Sequence, residues 1–176
     1  MSFAKPLDNV LQMGLREGMQ VGDIGTGSGH YALAAANIVG EAGHVYAFDI
    51  QEDVLARLRS DAKQRGVENI ETVWGDIEKE HGTLVADRSL DAVILSNTLF
   101  QLEKKEVALQ EVKRILKPKG KLLVVDWAGS YSGMGPKEEH VVPEQEAERM
   151  LIAAGFHKMK AFRGGPHHYA LLFAAP

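Results

Sequence analysis

Short apolar segments of β character alternate with longer segments of helical period along this 176-residue chain, and that alternation limits the folds open to it. Residues 19–24 (MQVGDI), 44–50 (HVYAFDI), 69–74 (NIETVW), 90–96 (LDAVILS) and 121–127 (KLLVVDW) read as strands. Between them, 28–39 leaves a glycine turn as a helix, and 52–65 sets Val54, Leu55, Leu58 and Ala62 on one helical face. Residues 104–116 do the same with Val107, Ala108, Glu111, Val112 and Ile115. That helix should stop at Lys117-Pro118, because proline bars the α region at its predecessor. The nearly continuous apolar run at 121–127 suits a strand covered on both faces. Five strands alternating in this way predict a doubly wound α/β sheet. A further helix follows over 143–154, with proline near its first turn and Gly155 at its end. Two closing strands, 156–163 and 168–174, are split only by Gly164-Gly165-Pro166. So short a turn forces antiparallel pairing, which makes the sheet mixed.

Composition closes off several functions. With 45% hydrophobic and 25% charged residues, 1–176 is expected to form a single soluble domain, 1–18 being an N-terminal helix and approach. There is no cysteine, which excludes disulfides, thiolate metal sites and a cysteine nucleophile. A net charge of −4 argues against a broad nucleic-acid-binding face, so no nucleic-acid partner is expected. No long apolar leader segment and no run of 18 apolar residues appears. The expectation is a cytoplasmic protein without membrane insertion.

The glycine-rich stretch VGDIGTGSGHYA, residues 21–32, lies between the first strand and its helix. A triphosphate-binding loop would need lysine where Ser28 stands, so that reading fails. A dinucleotide variant can be fitted to Gly27, Gly29 and Ala32, with Asp49 twenty positions beyond Gly29, and the loop alone leaves it open. The better fit is D-x-G-x-G-x-G, formed by Asp23, Gly25, Gly27 and Gly29. Its acid sits inside the loop, where a pyrophosphate would be repelled and a cationic amine welcomed.

These residues, with four later motifs in order, resemble the class I S-adenosylmethionine-dependent methyltransferases. The likeness is greatest to the small-molecule branch that includes the ubiquinone/menaquinone biosynthesis enzymes. LREGMQVGDIGTGSGHYA is similar to the family's first motif, VYAFDI to its second strand, and WGDIE to its third motif. LDAVILSNTLFQL is similar to its fourth strand, and RILKPKGKLLVVDW to its helix–turn–fifth-strand signature. The resemblance implies a Rossmann-like, seven-stranded mixed sheet of order 3-2-1-4-5-7-6, closed by an antiparallel hairpin. It implies S-adenosylmethionine as cofactor, with S-adenosylhomocysteine as product, across the carboxyl ends of strands one, two and four. The cofactor residues it implies are Asp23, Gly25, Thr26, Gly27, Gly29, Asp49, Ile50, Gly75, Asp76, Ile77 and Ser96, with Asp49 accepting the ribose hydroxyls and Asp76 meeting the adenine amino group.

Each residue also has a plainer role. Asp23 could cap its turn, Asp49 could be a surface acid, and Gly75-Asp76 is an ordinary turn signal. Ser96 and Asn97 suit loop hydrogen bonding as well as ligand contact. Asn97 and Gln101 are the catalytic candidates, although relatives often carry histidine where this chain has Gln101. His30 follows the glycine loop. His167 and His168, adjacent on a strand, would face opposite ways, so no metal site is expected. The loop 128–142, with Gly129, Gly133 and Gly135, is a candidate substrate lid; Tyr131, Met134 and His140 are its candidate contacts. Lys137 and its two neighbouring glutamates there read as a solvated face.

The expected reaction is in-line methyl transfer to a small-molecule acceptor, which requires no dedicated acid, base or metal if the acceptor is already nucleophilic. SNTLF lacks the Asn-Pro-Pro-aromatic motif of amino-group methylation, and the missing cysteines speak against thiol-dependent arsenite methylation. The pocket would be completed by the lid or by the second subunit of a homodimer. Three other functions stay open: a nicotinamide oxidoreductase, an aminopropyltransferase (which would want an acid at Ser96-Asn97), and a non-catalytic interaction module.

Overall fold

Residues 4–131 and 133–176 are described by a computed structural model; residues 1–3 of the expected N-terminal approach and Ser132 of the expected lid lie outside the described residues. The chain runs through α1 (Pro6–Leu11), β1 (Gln20–Ile24), α2 (His30–Val39), β2 (His44–Asp49), α3 (Glu52–Gln64), β3 (Ile70–Trp74) and β4 (Leu90–Ser96). It continues through a 3-10 turn at Leu99–Gln101, α4 (Lys105–Ile115), β5 (Leu116–Trp127), α5 (Glu144–Ala153), β6 (His157–Gly165) and β7 (His168–Ala174). The strands form one seven-stranded sheet of order β3-β2-β1-β4-β5-β7-β6. Strands β1 to β5 pair in parallel, while β7 runs antiparallel to both β5 and β6.

Strand alternation divides the core between the two faces of the sheet. Val93, Leu95, Leu122 and Val124 pack against residues of α4 and α5. Ala92, Ile94, Leu123 and Val125 pack against residues of α1 and α2. This two-sided burial is why β5 reads as an unbroken apolar run.

Three local expectations shift. Helix α4 ends at Ile115, but β5 already starts at Leu116, and the Lys-Pro-Lys-Gly segment is a bulged part of that strand with Lys119 at φ +62. Val107 is 37% exposed and stands off the buried face of α4, whereas Glu111 lies deep within it because Arg114 neutralises it. The hairpin turn is Pro166-His167 rather than Gly164-Gly165-Pro166, since β6 runs on to Gly165. Gly164 reads as a turn residue, yet its role is close packing: a Cβ there would lie 2.9 Å from Val125 Cγ1.

Candidate functional site

The strand order reverses between β1 and β4, so the loops leaving their carboxyl ends diverge and open a cleft. Three glycines shape the first loop, for different reasons. Gly25 turns at φ +67, and a Cβ on it would lie 2.5 Å from Thr98 Oγ1. Gly29 opens α2 at φ +74, where a Cβ would meet Leu58 Cδ1 at 2.2 Å. Gly27 turns at φ +50, but a Cβ there would meet only the Gly25 carbonyl oxygen, at 3.9 Å. Gly25 and Gly29 thus permit protein packing, while Gly27 leaves open space beside the cleft it lines. The Thr98 hydroxyl lies 3.0 Å from the Ile24 carbonyl oxygen and 3.1 Å from that of Ser96, tying the ends of β1 and β4 together.

The cleft measures about 440 Å³ and gathers Asp23, Gly25, Thr26, Gly27, Ser96, Asn97 and Gln101 from the expected set. Its wall is completed by Ala4, Pro6, Ser28, His30 and Tyr31. No lysine or arginine is among these residues. A larger groove of about 800 Å³ lies between α4 and α5, away from these strand ends.

Asp23 is buried near the end of β1, and its Oδ2 accepts the Thr26 hydroxyl at 2.7 Å. Burial pushes this carboxyl up to about 6 despite the Thr26 hydroxyl and the Ala32 amide, and the nearby Asp49 charge adds to the rise. Asp49 ends β2. Its Oδ2 accepts the Gly27 amide at 3.1 Å and its Oδ1 the Gln51 amide at 3.1 Å. Two donors leave about half of the carboxylate's four acceptor positions unused. The Gly75 amide donates to the Asp49 carbonyl oxygen at 3.3 Å, which sets Asp76 one strand further along. Asp76 accepts the Glu78 amide at 3.0 Å and pairs with Lys79 at 3.0 Å. The Lys79 hydrogen bond holds its carboxyl below the ordinary aspartate range. Ile50 is 61% exposed beside Asp49, while Ile77 is buried in the core.

On the β4 side, Asn97 adopts φ +55, and its amide donates to the Val125 carbonyl at 2.8 Å. Its Oδ1 is buried with no hydrogen-bond partner, an uncommon state for a polar atom in a folded core. Gln101 Nε2 donates to the Asn97 carbonyl oxygen at 2.6 Å. Asp126, near the end of β5, is fully buried and takes the Trp127 amide at 2.8 Å and the Phe100 amide at 3.2 Å. Burial pushes it up to about 6 against the pull of those amides.

The candidate lid residues stand apart from this cleft. The Tyr131 ring lies 6.3 Å from that of Trp127 and 4.2 Å from that of His167. Met134 bridges back to Tyr131 through a 2.7 Å backbone bond, and exposed His140 sits 3.5 Å from Glu139. His167 lies in the hairpin turn and His168 is buried at the start of β7. Sequence reasoning missed Asn9, Tyr31, Thr98 and Asp126. Asp126 had a signal, being the one acid in the apolar run 121–127; the others are brought in by contacts distant in sequence.

The available groups suit S-adenosylmethionine. Asp23 and Asp49 offer acceptors to an amine and a diol, Gly27 leaves room, and no cation awaits a phosphate. The chain matches a family described as a methyltransferase domain over residues 15–160. It is 35% identical over 116 residues to the ubiquinone/menaquinone biosynthesis C-methyltransferase UbiE of Azotobacter vinelandii, covering 65% of this chain and 45% of that protein. The Haemophilus ducreyi protein of the same name is 34% identical over 116 residues, covering 65% and 44%. The matched region thus spans less than half the length of these relatives. A SAM-dependent methyltransferase from Aquifex aeolicus superposes with a TM-score of 0.90 over 99% of this chain and 91% of its own, at 29% identity. The [4+2]-cyclase SpnF shares the fold alone, with a TM-score of 0.81 at 19% identity over 97% and 79% of the two chains. The chain belongs to the methyltransferase-domain family, in its class I, S-adenosylmethionine-dependent form.

Proposed function

We propose that this chain transfers a methyl group from S-adenosylmethionine to a carbon of a small organic acceptor. The observation that carries the reading is the charge of the cleft: it holds a buried acid and no base of the lysine or arginine kind. A cationic amine suits that field, whereas a pyrophosphate would meet like charge without compensation. The choice of carbon rests on the C-methyltransferases that this chain resembles.

In this reading Asp23 meets the amine, Asp49 receives the two ribose hydroxyls on its unused acceptor positions, and Asp76 meets the adenine amino group. Gly27 lets the backbone stand close to the methionyl portion. Ile50 presents its exposed side chain to the adenine ring, and Gly75 and Ile77 complete that end. When bound, the cofactor supplies an electrophilic methyl group on a sulfonium that leaves as a neutral thioether. An acceptor arriving as an electron-rich enolate or phenolate would form the new carbon–carbon bond as the carbon–sulfur bond breaks, and the proton displaced from its carbon would pass to solvent water once the site reopens. Ser96, Asn97 and Gln101 border the acceptor, and the chain contributes chiefly by holding it in line and excluding water. Tyr131, Met134 and His140 stand apart from the cleft, so in this reading they reach the acceptor only if their loop moves toward it.

Calorimetric titration with S-adenosylhomocysteine tests the cofactor half, and micromolar binding is expected. A fluorescence titration with reduced nicotinamide dinucleotide should show none; binding of the dinucleotide alone would reverse the assignment. Asp49→Ala should weaken S-adenosylhomocysteine by about 100-fold, as two charge-assisted hydrogen bonds are lost, with the melting temperature little changed.

A further inference from the structure

The six-residue helix α1 reaches the cofactor cleft at its first residue, Pro6, which lines it together with Ala4. So short a helix does not hold itself in water, and its position depends on what it touches. Val10 and Met13 anchor it to the core, while Leu7 and Leu11 remain exposed. The third anchor is polar. Asn9, only 2% exposed, donates from Nδ2 to Tyr31 Oη at 2.8 Å and to the Gly164 carbonyl oxygen at 2.8 Å. Both protons of that amide nitrogen are thereby used. The Lys5 amide adds a bond to the same Gly164 oxygen at 3.2 Å. Tyr31 Oη also reaches the side chain of Ser96 at the end of β4. Ala4, Pro6, Tyr31 and Ser96 all line the cleft.

One buried amide therefore joins three elements: the first helix, the cleft wall on α2, and the closing hairpin. Asn9 and Gly164 lie 155 positions apart, and both fall outside the 15–160 region shared with the methyltransferase-domain family. The bridge thus ties the first helix to the closing hairpin by way of Tyr31, which lies within that region.

We propose that Asn9 is a positioning residue for methyl transfer, which latches α1 over the cleft through Tyr31 and Gly164 and so sets the rate at which the cofactor product leaves. The proposal rests on the cofactor reading above. A side chain that served packing alone would affect melting temperature and leave release unchanged.

The test compares wild type with Tyr31→Phe, which keeps the ring and removes only the hydroxyl, and with Asn9→Ala. Stopped-flow displacement of S-adenosylhomocysteine, followed by intrinsic fluorescence, should show release faster by about tenfold in each variant, the equivalent of one buried hydrogen bond. The double variant should release little faster than either single one, because both remove the same bridge. In the ligand-free protein, amide hydrogen exchange across residues 6–12 should accelerate in both variants. Faster exchange with unchanged release assigns Asn9 to packing and overturns the proposal; unchanged exchange also overturns it. Wild-type protein that binds no S-adenosylhomocysteine would sink the cofactor assignment, while the exchange experiment still decides whether α1 is latched. Should Asn9→Ala fail to fold, Asn9→Leu, which keeps the bulk and removes both donors, takes its place in both measurements.

Discussion

Two regions of the molecule bury a carboxyl group and treat it in opposite ways. On α4, Glu111 receives Arg114 at 2.7 and 2.8 Å, the Thr83 hydroxyl at 2.6 Å and the Thr83 amide at 3.1 Å. Burial alone would raise its pKa, but the Arg114 and Thr83 hydrogen bonds outweigh that and draw it down to about 2. At the end of β1, Asp23 is likewise shut off from solvent but set deeper in the protein, has the Thr26 hydroxyl and a backbone amide for support, and stands near 6. Both acids are out of reach of water; their charge balance differs. The scaffold acid carries its cation with it, whereas no lysine or arginine lines the cleft beside Asp23. Asp126 falls between them, with amide donors from the Leu99–Gln101 turn and Trp127 but no cation in direct contact.

Breaking the balanced site should have the largest effect. Arg114→Ala strands Glu111 without its counter-charge, and urea unfolding should show a loss of about 3 to 5 kcal/mol. S-adenosylhomocysteine affinity in the folded fraction should stay within about twofold of wild type, since the α4 network lies away from the cleft. A large change in affinity would show that the two regions are coupled.

Asp23→Asn should move stability the other way. It removes a carboxylate that is costly to ionise, so at pH 8 the ligand-free variant should gain up to about 3 kcal/mol in the same assay. Its affinity for S-adenosylhomocysteine should fall even so. A variant both less stable and weaker in binding would remove the distinction between site and scaffold.

The pH dependence separates the two acids by sign. Glu111 titrates lower in the folded protein than its ordinary value of 4.5, so its contribution is present above that pH and is lost as pH falls toward 2. Asp23 titrates higher than its ordinary 3.8, so its contribution is full below that pH and is lost as pH rises through about 6. Urea midpoints from pH 3 to 8 should therefore show a shallower upper limb in Asp23→Asn, with Asp126 supplying the remainder, and a shallower lower limb in Glu111→Gln. Binding of the cationic amine favours ionised Asp23, so S-adenosylhomocysteine affinity should rise with pH to a plateau above about 6. The smallest effect is expected at Tyr131→Ala, outside the cofactor cleft, where calorimetry should find affinity within about twofold of wild type.

The parts of the site legible in the sequence are those written consecutively. Asp23, Gly25, Gly27 and Gly29 share one loop whose spacing picks them out, while Asp49, ending β2, and Asp76, just after β3, are marked by the likeness of their motifs to the family's. The strand order came from the likeness of five motifs, since alternation alone specifies a doubly wound sheet without its order. Contacts across the fold left no such trace. Thr98 meets Ile24 over 74 positions, and Asn9 meets Gly164 over 155. Glycine was the residue most easily misread. Gly135 suggests mobility in a loop, yet a Cβ there would stand 2.7 Å from the Trp127 ring, so close packing already accounts for it. Gly164 suggested a turn for the same reason and proved to be a strand residue against Val125.

The positions of the two tryptophans make the protein its own optical instrument. Trp74 ends β3, and its indole donates to the Ile50 carbonyl oxygen at 3.0 Å, at the adenine end of the proposed site. Trp127 ends β5 beneath Gly135, which the proposed reading puts on the acceptor side. In that reading each half of the reaction has a fluorophore of its own. Trp74→Phe would leave emission that follows the acceptor end, and Trp127→Phe emission that follows the adenine end, so the order in which the two halves fill can be read without a label.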